Sequence, residues 1–213
     1  MTKRKISRTW FSHKKFFPVA TPSNTQNDRV YSKANTKRDV SQTRLIKGRK
    51  HFTQSVMVSV AMSHLGKTDL VFIQPAAKVN SVYYCDEVLA KGLLPVIRRL
   101  SGNDFTFQQD GAPSHRSKHT VAYLKANVPN FIQPSNWTSN SPDLNPVDYS
   151  IWEALQQLVY RRKIRDLEHL KEVLQDCWTM ISQNLVDTVI DQFSKRLNLV
   201  ILDQGGHIEH RLK

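Results

Sequence analysis

Aromatic and β-branched side chains first gather at Thr9–Val19 (Thr-Trp-Phe-Ser-His-Lys-Lys-Phe-Phe-Pro-Val), a density that predicts a strand. Residues 20–50 are polar and basic, with Val30-Tyr31 and Leu45-Ile46 as apolar pairs, and read as a loop or extended arm with one short strand at 28–32. Ser55–Met62 is almost wholly apolar, the pattern of a buried strand. Asp69–Ile73 predicts its hairpin partner, turned around Gly66-Lys67. The period then changes. Val82, Tyr83, Val88, Leu89, Leu93, Leu94, Val96 and Ile97 form a helical stripe over Ser81–Leu100, despite Gly92 and Pro95. Phe105-Thr106-Phe107 predicts a short strand ending at Asp110, Ser114 is placed to cap a helix to about Ala126, and Phe131-Ile132 reads as another short strand. A Pro/Ser/Asn-rich loop spans 133–146, and helices are predicted over 147–161, 166–182 and 184–202.

Three antiparallel strands, followed by strands alternating with helices, is the order of an RNase H-like fold. The expectation is an α/β mixed sheet, an antiparallel three-strand meander plus parallel strands, flanked by helices and ending in a helical C-terminus. Residues 1–8 read as a basic N-terminal tail and 9–213 as one domain, with 20–50 a basic arm within it. The 213 residues suffice for one substantial core. No apolar run approaches the roughly 20 residues of a membrane helix. The basic start, Met1–Arg8, is not followed by an apolar stretch, so no secretory signal is expected. Cys85 and Cys177 stand far apart without Cys-x-x-Cys spacing, and read as reduced structural thiols of an intracellular protein.

Charge changes this picture because it is uneven. Residues 1–50 hold 14 Lys/Arg against Asp28 and Asp39, whereas residues 51–213 hold 17 Lys/Arg against 16 Asp/Glu. Nearly all of the net +13 therefore sits in the first quarter. A basic segment joined to a near-neutral domain is the footprint of a nucleic-acid partner, whose phosphates release counterions when Lys and Arg bind. A solvated basic arm without a partner is the plainer alternative. A membrane surface fits less well, because the segment lacks an amphipathic apolar stripe.

Two aspartates carry candidate chemistry. Asp110 closes a strand and Asp148 opens a helix, which can bring two hard oxygen ligands to one magnesium site. Two ions roughly 4 Å apart can activate an attacking hydroxyl and stabilise the leaving oxygen in phosphodiester chemistry. Each aspartate also has an ordinary structural role available. Asp-Gly is a common turn pair, and an acid at the third position of a helix capped by Asn145 and started by Pro146 suits the dipole.

Gln109-Asp110-Gly111-Ala112-Pro113-Ser114-His115 and Ser141-Pro142-Asp143-Leu144-Asn145-Pro146-Val147-Asp148-Tyr149-Ser150-Ile151-Trp152 resemble the second and third acidic motifs of mariner-type DNA transposases. The 37 residues between Asp110 and Asp148 resemble the spacing of the branch that uses three aspartates. The similarity runs from about Trp10 to the C-terminal helices. It implies an RNase H-like catalytic domain in which three carboxylates hold two magnesium ions (manganese being an alternative) to cut and join DNA in the nucleus. By motif position Asp110 and Asp148 are the second and third catalytic and metal-binding residues. Asp143 shares the motif but is expected only to shape its turn.

The resemblance breaks at the first motif. Phe11-Ser12-His13-Lys14-Lys15-Phe16-Phe17 places His13 where the family has Asp and Lys14 where it has Glu. Imidazole is a poor partner for magnesium and a neighbouring ammonium repels it, so metal binding and catalysis are expected to be impaired. The family carries helix-turn-helix domains ahead of this region, so the chain reads as N-terminally truncated. The stretch 20–50 falls where the family places a loop that reaches across the transposase dimer. Arg29, Lys33, Lys37, Arg38, Arg44, Lys47, Arg49 and Lys50 are therefore the candidate DNA- or subunit-contacting residues. Arg161-Arg162-Lys163 could lie near a DNA backbone or simply suit a helix end. His115 could approach the metal site, and Trp137, Trp152 and Trp178 read as core or loop anchors. Two rival functional readings remain, beside that of a decaying pseudogene product with no selected role. One is a non-catalytic protein that pairs with full-length transposase. The other is an active nuclease in which Asp28 or Asp39 supplies the third carboxylate.

Overall fold

The computed structural model describes residues 3–20, 33, 36, 39–40, 53–74, 79–137, 141–206 and 208–212. Helix α1 (Lys3–Ser7) lies within the basic residues 1–8 and precedes strand β1 (Thr9–Pro18), and its Ile6 is buried. β1 pairs antiparallel with β2 (Ser55–Ser63), from Phe11↔Met62 to Pro18↔Ser55. β2 pairs antiparallel with β3 (Gly66–Lys67) and β4 (Val71–Ile73), which completes the expected meander. The short strand read at 28–32 lies outside the described residues.

The helical stripe at Ser81–Leu100 is present as α2 (Ser81–Tyr83), a π-helical stretch (Tyr84–Leu93) and α3 (Leu94–Ser101). The Leu94 N–H bonds the Leu89 carbonyl five residues back. Pro95, which has no N–H to give, falls in the first turn of α3. β5 (Thr106–Gln108) then runs parallel to β1, and α4 (Lys118–Asn127) leads to β6 (Asn130–Phe131), parallel to β5. The C-terminal half is helical: a π turn (Val147–Ile151) entering α5 (Trp152–Val159), then α6 (Leu167–Met180) and α7 (Gln183–Leu202). The sheet order is β3-β2-β1-β5-β6, with β4 also on β2.

One expectation fails at α4. Its cap is Ser117, whose Oγ accepts the Thr120 N–H at 3.1 Å, not Ser114. The N–H groups of His115 and Arg116 both turn back to the Ala112 carbonyl, so the chain makes a separate turn before the helix begins.

Strand alternation divides the core between two faces. Phe11 and Phe17 of β1, with Val56, Val58, Val60 and Met62 of β2, are buried against α5, α6 and α7. Trp10 and Ala61 are buried on the other face with Tyr84, Leu89, Leu93 and Ile97 of the first helical run. The same alternation places His13 on the Phe11 face and Lys14 on the Trp10 face.

Candidate active site

The parallel register of β1 and β5 ends with Phe11 opposite Gln108. His13 comes two residues further along β1, and Asp110 two residues past the end of β5. Asp110 Oδ1 accepts the Ala112 N–H at 2.9 Å, so the carboxylate does close its Asp-Gly turn, while its other oxygen faces His13. Asp148 sits on the π turn ahead of α5, where its N–H bonds the Asn145 carbonyl. Asn145 fixes that turn from both ends of its amide. Oδ1 accepts the Val147 N–H at 3.1 Å, and Nδ2 donates to the Ser12 carbonyl at 2.9 Å. The start of the helix is thereby tied to β1 immediately beside His13.

His13 Nε2 lies 3.6 Å from Asp110 Oδ2 and 3.6 Å from Asp148 Oδ2. Its Nδ1 accepts the indole N–H of Trp152 at 2.8 Å. An indole nitrogen only donates, so Nδ1 carries the lone pair and the neutral ring bears its proton on Nε2. That N–H points between the two carboxylates. Burial lowers the His13 pKa, against the raising pull of Asp148 and Asp110 and with help from Lys14 and Lys15, so the neutral ring is favoured.

The second imidazole works from the opposite face. Lys14 Nζ lies 2.9 Å from His115 Nε2, and His115 Nδ1 lies 2.5 Å from Asp110 Oδ1. An ammonium cannot accept, so Nε2 is the acceptor and the ring proton sits on Nδ1, the nitrogen beside the carboxylate. His115 is buried, stacked on the Tyr84 ring at 4.0 Å, and its carbonyl accepts from Gln109 Nε2. Burial by itself would raise the Asp110 carboxyl. His115, the Ala112 N–H and Lys14 outweigh it and hold Asp110 far below the usual carboxylate range. Lys14 thus stabilises the Asp110 charge through His115 on the far face of β1.

His13, Asp110, Asn145 and Asp148 line a cleft of about 690 Å³ that also takes in Gly111, Pro113, Arg116, Trp137 and Ser141. Magnesium asks for oxygen lone pairs in near-octahedral array. Asp110 and Asp148 supply oxygens, but the third side chain turns an N–H toward them. As arranged, the trio does not offer a divalent cation a ligand shell. Among the described residues no group of three or more His, Cys, Asp or Glu side chains could hold a metal ion.

The remaining sequence candidates scatter. Asp143 lies in the Pro142–Leu144 turn. Lys33 is exposed, while Arg29, Lys37, Arg38, Arg44, Lys47, Arg49 and Lys50 lie outside the described residues, as does Asp28. Asp39 accepts from Thr36 Oγ1 at 2.7 Å and does not line the cleft. Arg162 pairs with Asp176 of α6 at 3.0 Å. Trp178 is a core anchor that donates to the Thr68 carbonyl. Trp152, read as an anchor, also orients His13.

Arg196 was missed. It is buried on α7 with its guanidinium 3.8 Å from the Tyr149 ring centre, and it donates to the Asp143 carbonyl at 3.4 Å, so it braces the segment bearing Asp148. A signal existed: Arg196 falls on the apolar helical stripe of Val186, Val189, Ile190, Phe193 and Val200.

No protein-family model matches the chain. It is 31% identical over 176 residues to the Tc3 transposable-element transposase of Caenorhabditis elegans, a match covering 81% of this chain and 51% of that protein. The chain thus spans about half the length of the curated relatives it matches. The crystal structure of the Mos1 mariner transposase catalytic domain superposes with a TM-score of 0.69 at 16% identity, covering 97% of this chain and 87% of that one. The Mos1 paired-end complex with the left transposon end gives 0.75 at 18% identity, covering 97% and 58%. Other Mos1 paired-end complexes contain magnesium or manganese. The chain is homologous to the Tc1/mariner transposases, and its fold is that of the RNase H-like Mos1 catalytic domain.

Proposed function

We propose that this is a transposase-derived domain that binds DNA, whose ancestral metal-dependent cutting and joining of strands is impaired at His13. The observation that carries the reading is the Nε2–H of His13 between Asp110 and Asp148, held there by Trp152. A divalent ion held here would need oxygen lone pairs from position 13 as well as from Asp110 and Asp148. A ring locked with its proton forward offers none, and it supplies a fixed positive dipole where a cation would stand. Two bound ions would neutralise the charge that builds on the transferred phosphate, and without them that stabilisation is lost.

DNA binding draws support from the balance of 14 Lys/Arg against two Asp in the first 50 residues, and from homology to transposases. Candidate contacts are Lys33 and the other cations of the 20–50 stretch, with Arg116 at the cleft. Such contacts follow the phosphate backbone and carry no sequence preference. Mos1 transposase forms a paired-end complex with its left transposon end, which supports self-association or pairing with a related transposase. The place of action would be the nucleus.

The test is nicking of supercoiled plasmid in magnesium and in manganese. The natural chain is compared with a His13→Asp, Lys14→Glu double variant, alongside a salt series of duplex binding. The reading expects salt-sensitive binding by both proteins and nicking by the variant alone. Equal nicking by the natural chain would make it an active nuclease and end the reading.

A further inference from the structure

Three hollows adjoin along the β6 edge of the sheet. The Asp110–Asp148 cleft shares Trp137 with an apolar groove of about 390 Å³ that includes Phe131, Leu144, Phe193 and Leu197. That groove shares Lys5, Thr106 and Asn130 with a third hollow of about 340 Å³ lined by Arg4, Arg8 and Asp104. The surface between the candidate active site and α1 is therefore continuous.

Its chemistry is graded. Arg116 is exposed at the cleft end, and no carboxylate lines the middle groove among the described residues. At the far end Arg4 and Lys5 are exposed, and the one carboxylate lining that hollow, Asp104, is engaged by Arg8 at 3.2 Å. Between the cationic ends, Trp137 and Phe131 are only half-buried, each presenting aromatic surface to the groove.

We propose that this groove is a single-stranded DNA path, with phosphates held at Arg4 and Lys5 and bases stacked on Trp137 and Phe131 as the strand leaves the Asp110–Asp148 cleft. The proposal rests on the reading of the domain as a DNA binder and adds the strand form it holds. Aromatic platforms between cationic ends suit unpaired bases, because each base then offers a free π-face. A duplex keeps those faces stacked internally and would use only the cations. The guanidinium fork of Arg4 matches phosphate geometry without reading sequence.

The test is fluorescence anisotropy with the full chain, a labelled single strand of about twelve nucleotides and the matching duplex, at one salt concentration. Trp137→Ala should weaken single-strand binding by roughly five- to a hundredfold and change duplex binding less than about twofold. Trp137→Phe should stay within about threefold of the natural chain, which keeps the test valid if the alanine variant folds poorly. Arg4→Gln should weaken the single strand by about threefold or more. Replacing Lys47, Arg49 and Lys50 with Gln should weaken both strand forms together. If Trp137→Ala weakens both forms equally or neither, the groove assignment is overturned while DNA binding stands. If the natural chain binds neither form, the DNA-binding reading fails and the groove fails with it.

Discussion

Trp152 gives its indole N–H to Nδ1 of His13, and this single bond decides which nitrogen of the ring faces the two aspartates. Two other features act on the same ring. Its position on β1, two residues beyond the last parallel pair with β5, puts it beside Asp110, and Asn145 draws the start of the Asp148 helix against β1. The result is an acidic pair that is preorganised, with its charges answered from within the protein. His13 approaches both carboxylates from one face, and the Lys14–His115 pair approaches Asp110 from the other.

Acid should destabilise this arrangement early. His13 and His115 both have pKa values lowered from the ordinary 6.5, chiefly by burial, so below that pH the unfolded chain takes up protons that the folded chain refuses. Stability is then complete above about pH 6.5 and declines as the pH falls toward the folded-state values. Asp110, held low, adds a loss only in stronger acid. Calorimetry should show the melting temperature falling between about pH 7 and pH 5, with a shallower fall in His13→Gln. A flat or rising profile over that range would contradict the two neutral imidazoles.

Asn145→Ala should destabilise the fold by about 1–3 kcal/mol, because it removes a cap and leaves a buried strand carbonyl without its donor. The residue is buried, and each end of its amide is bonded. Urea denaturation measures the loss. A change below about 0.5 kcal/mol would mean that the turn holds itself without the tie to Ser12.

Gly92 is a matter of space rather than backbone conformation. A Cβ there would stand 2.7 Å from Cγ2 of Val71 and 3.3 Å from the Glu87 carbonyl, so β4 and the π-helical stretch approach too closely for any side chain. Gly92→Ala should cost about 1–3 kcal/mol through overpacking, despite the better helix propensity of alanine. Adding Val71→Ala should recover part of that loss. If Gly92→Ala alone stabilises the protein, the contact is softer than its geometry implies.

The sequence made the scaffold legible where periodicity was strong. β1, β2 and the helices from Ser81 onward follow the apolar pattern closely, because burial on one or both faces leaves a two-residue or 3.6-residue signature. The motifs around Asp110 and Asp148 placed both aspartates correctly at one cleft, since strand-end and helix-start positions are local properties. What the sequence hid depended on side-chain direction. Alternation along β1 separates His13 from Lys14, yet only the packed structure shows Lys14 meeting His115, 101 positions away. The tautomer of His13 hangs on Trp152, 139 positions distant, for which no local pattern exists. The cap at Ser117 was missed because Ala112-Pro113-Ser114 closes its own turn first.

The most direct test of the central claim is manganese binding, followed by electron paramagnetic resonance, in the natural chain and in His13→Asp. The claim is that the His13 N–H occupies the place of a metal ligand between Asp110 and Asp148. It predicts weak binding by the natural chain and an affinity at least about tenfold higher in His13→Asp, with the gain abolished by Asp148→Ala. Equal, tight binding by the natural chain and the variant would contradict it, because the imidazole would then be acting as a ligand rather than filling the site with its proton.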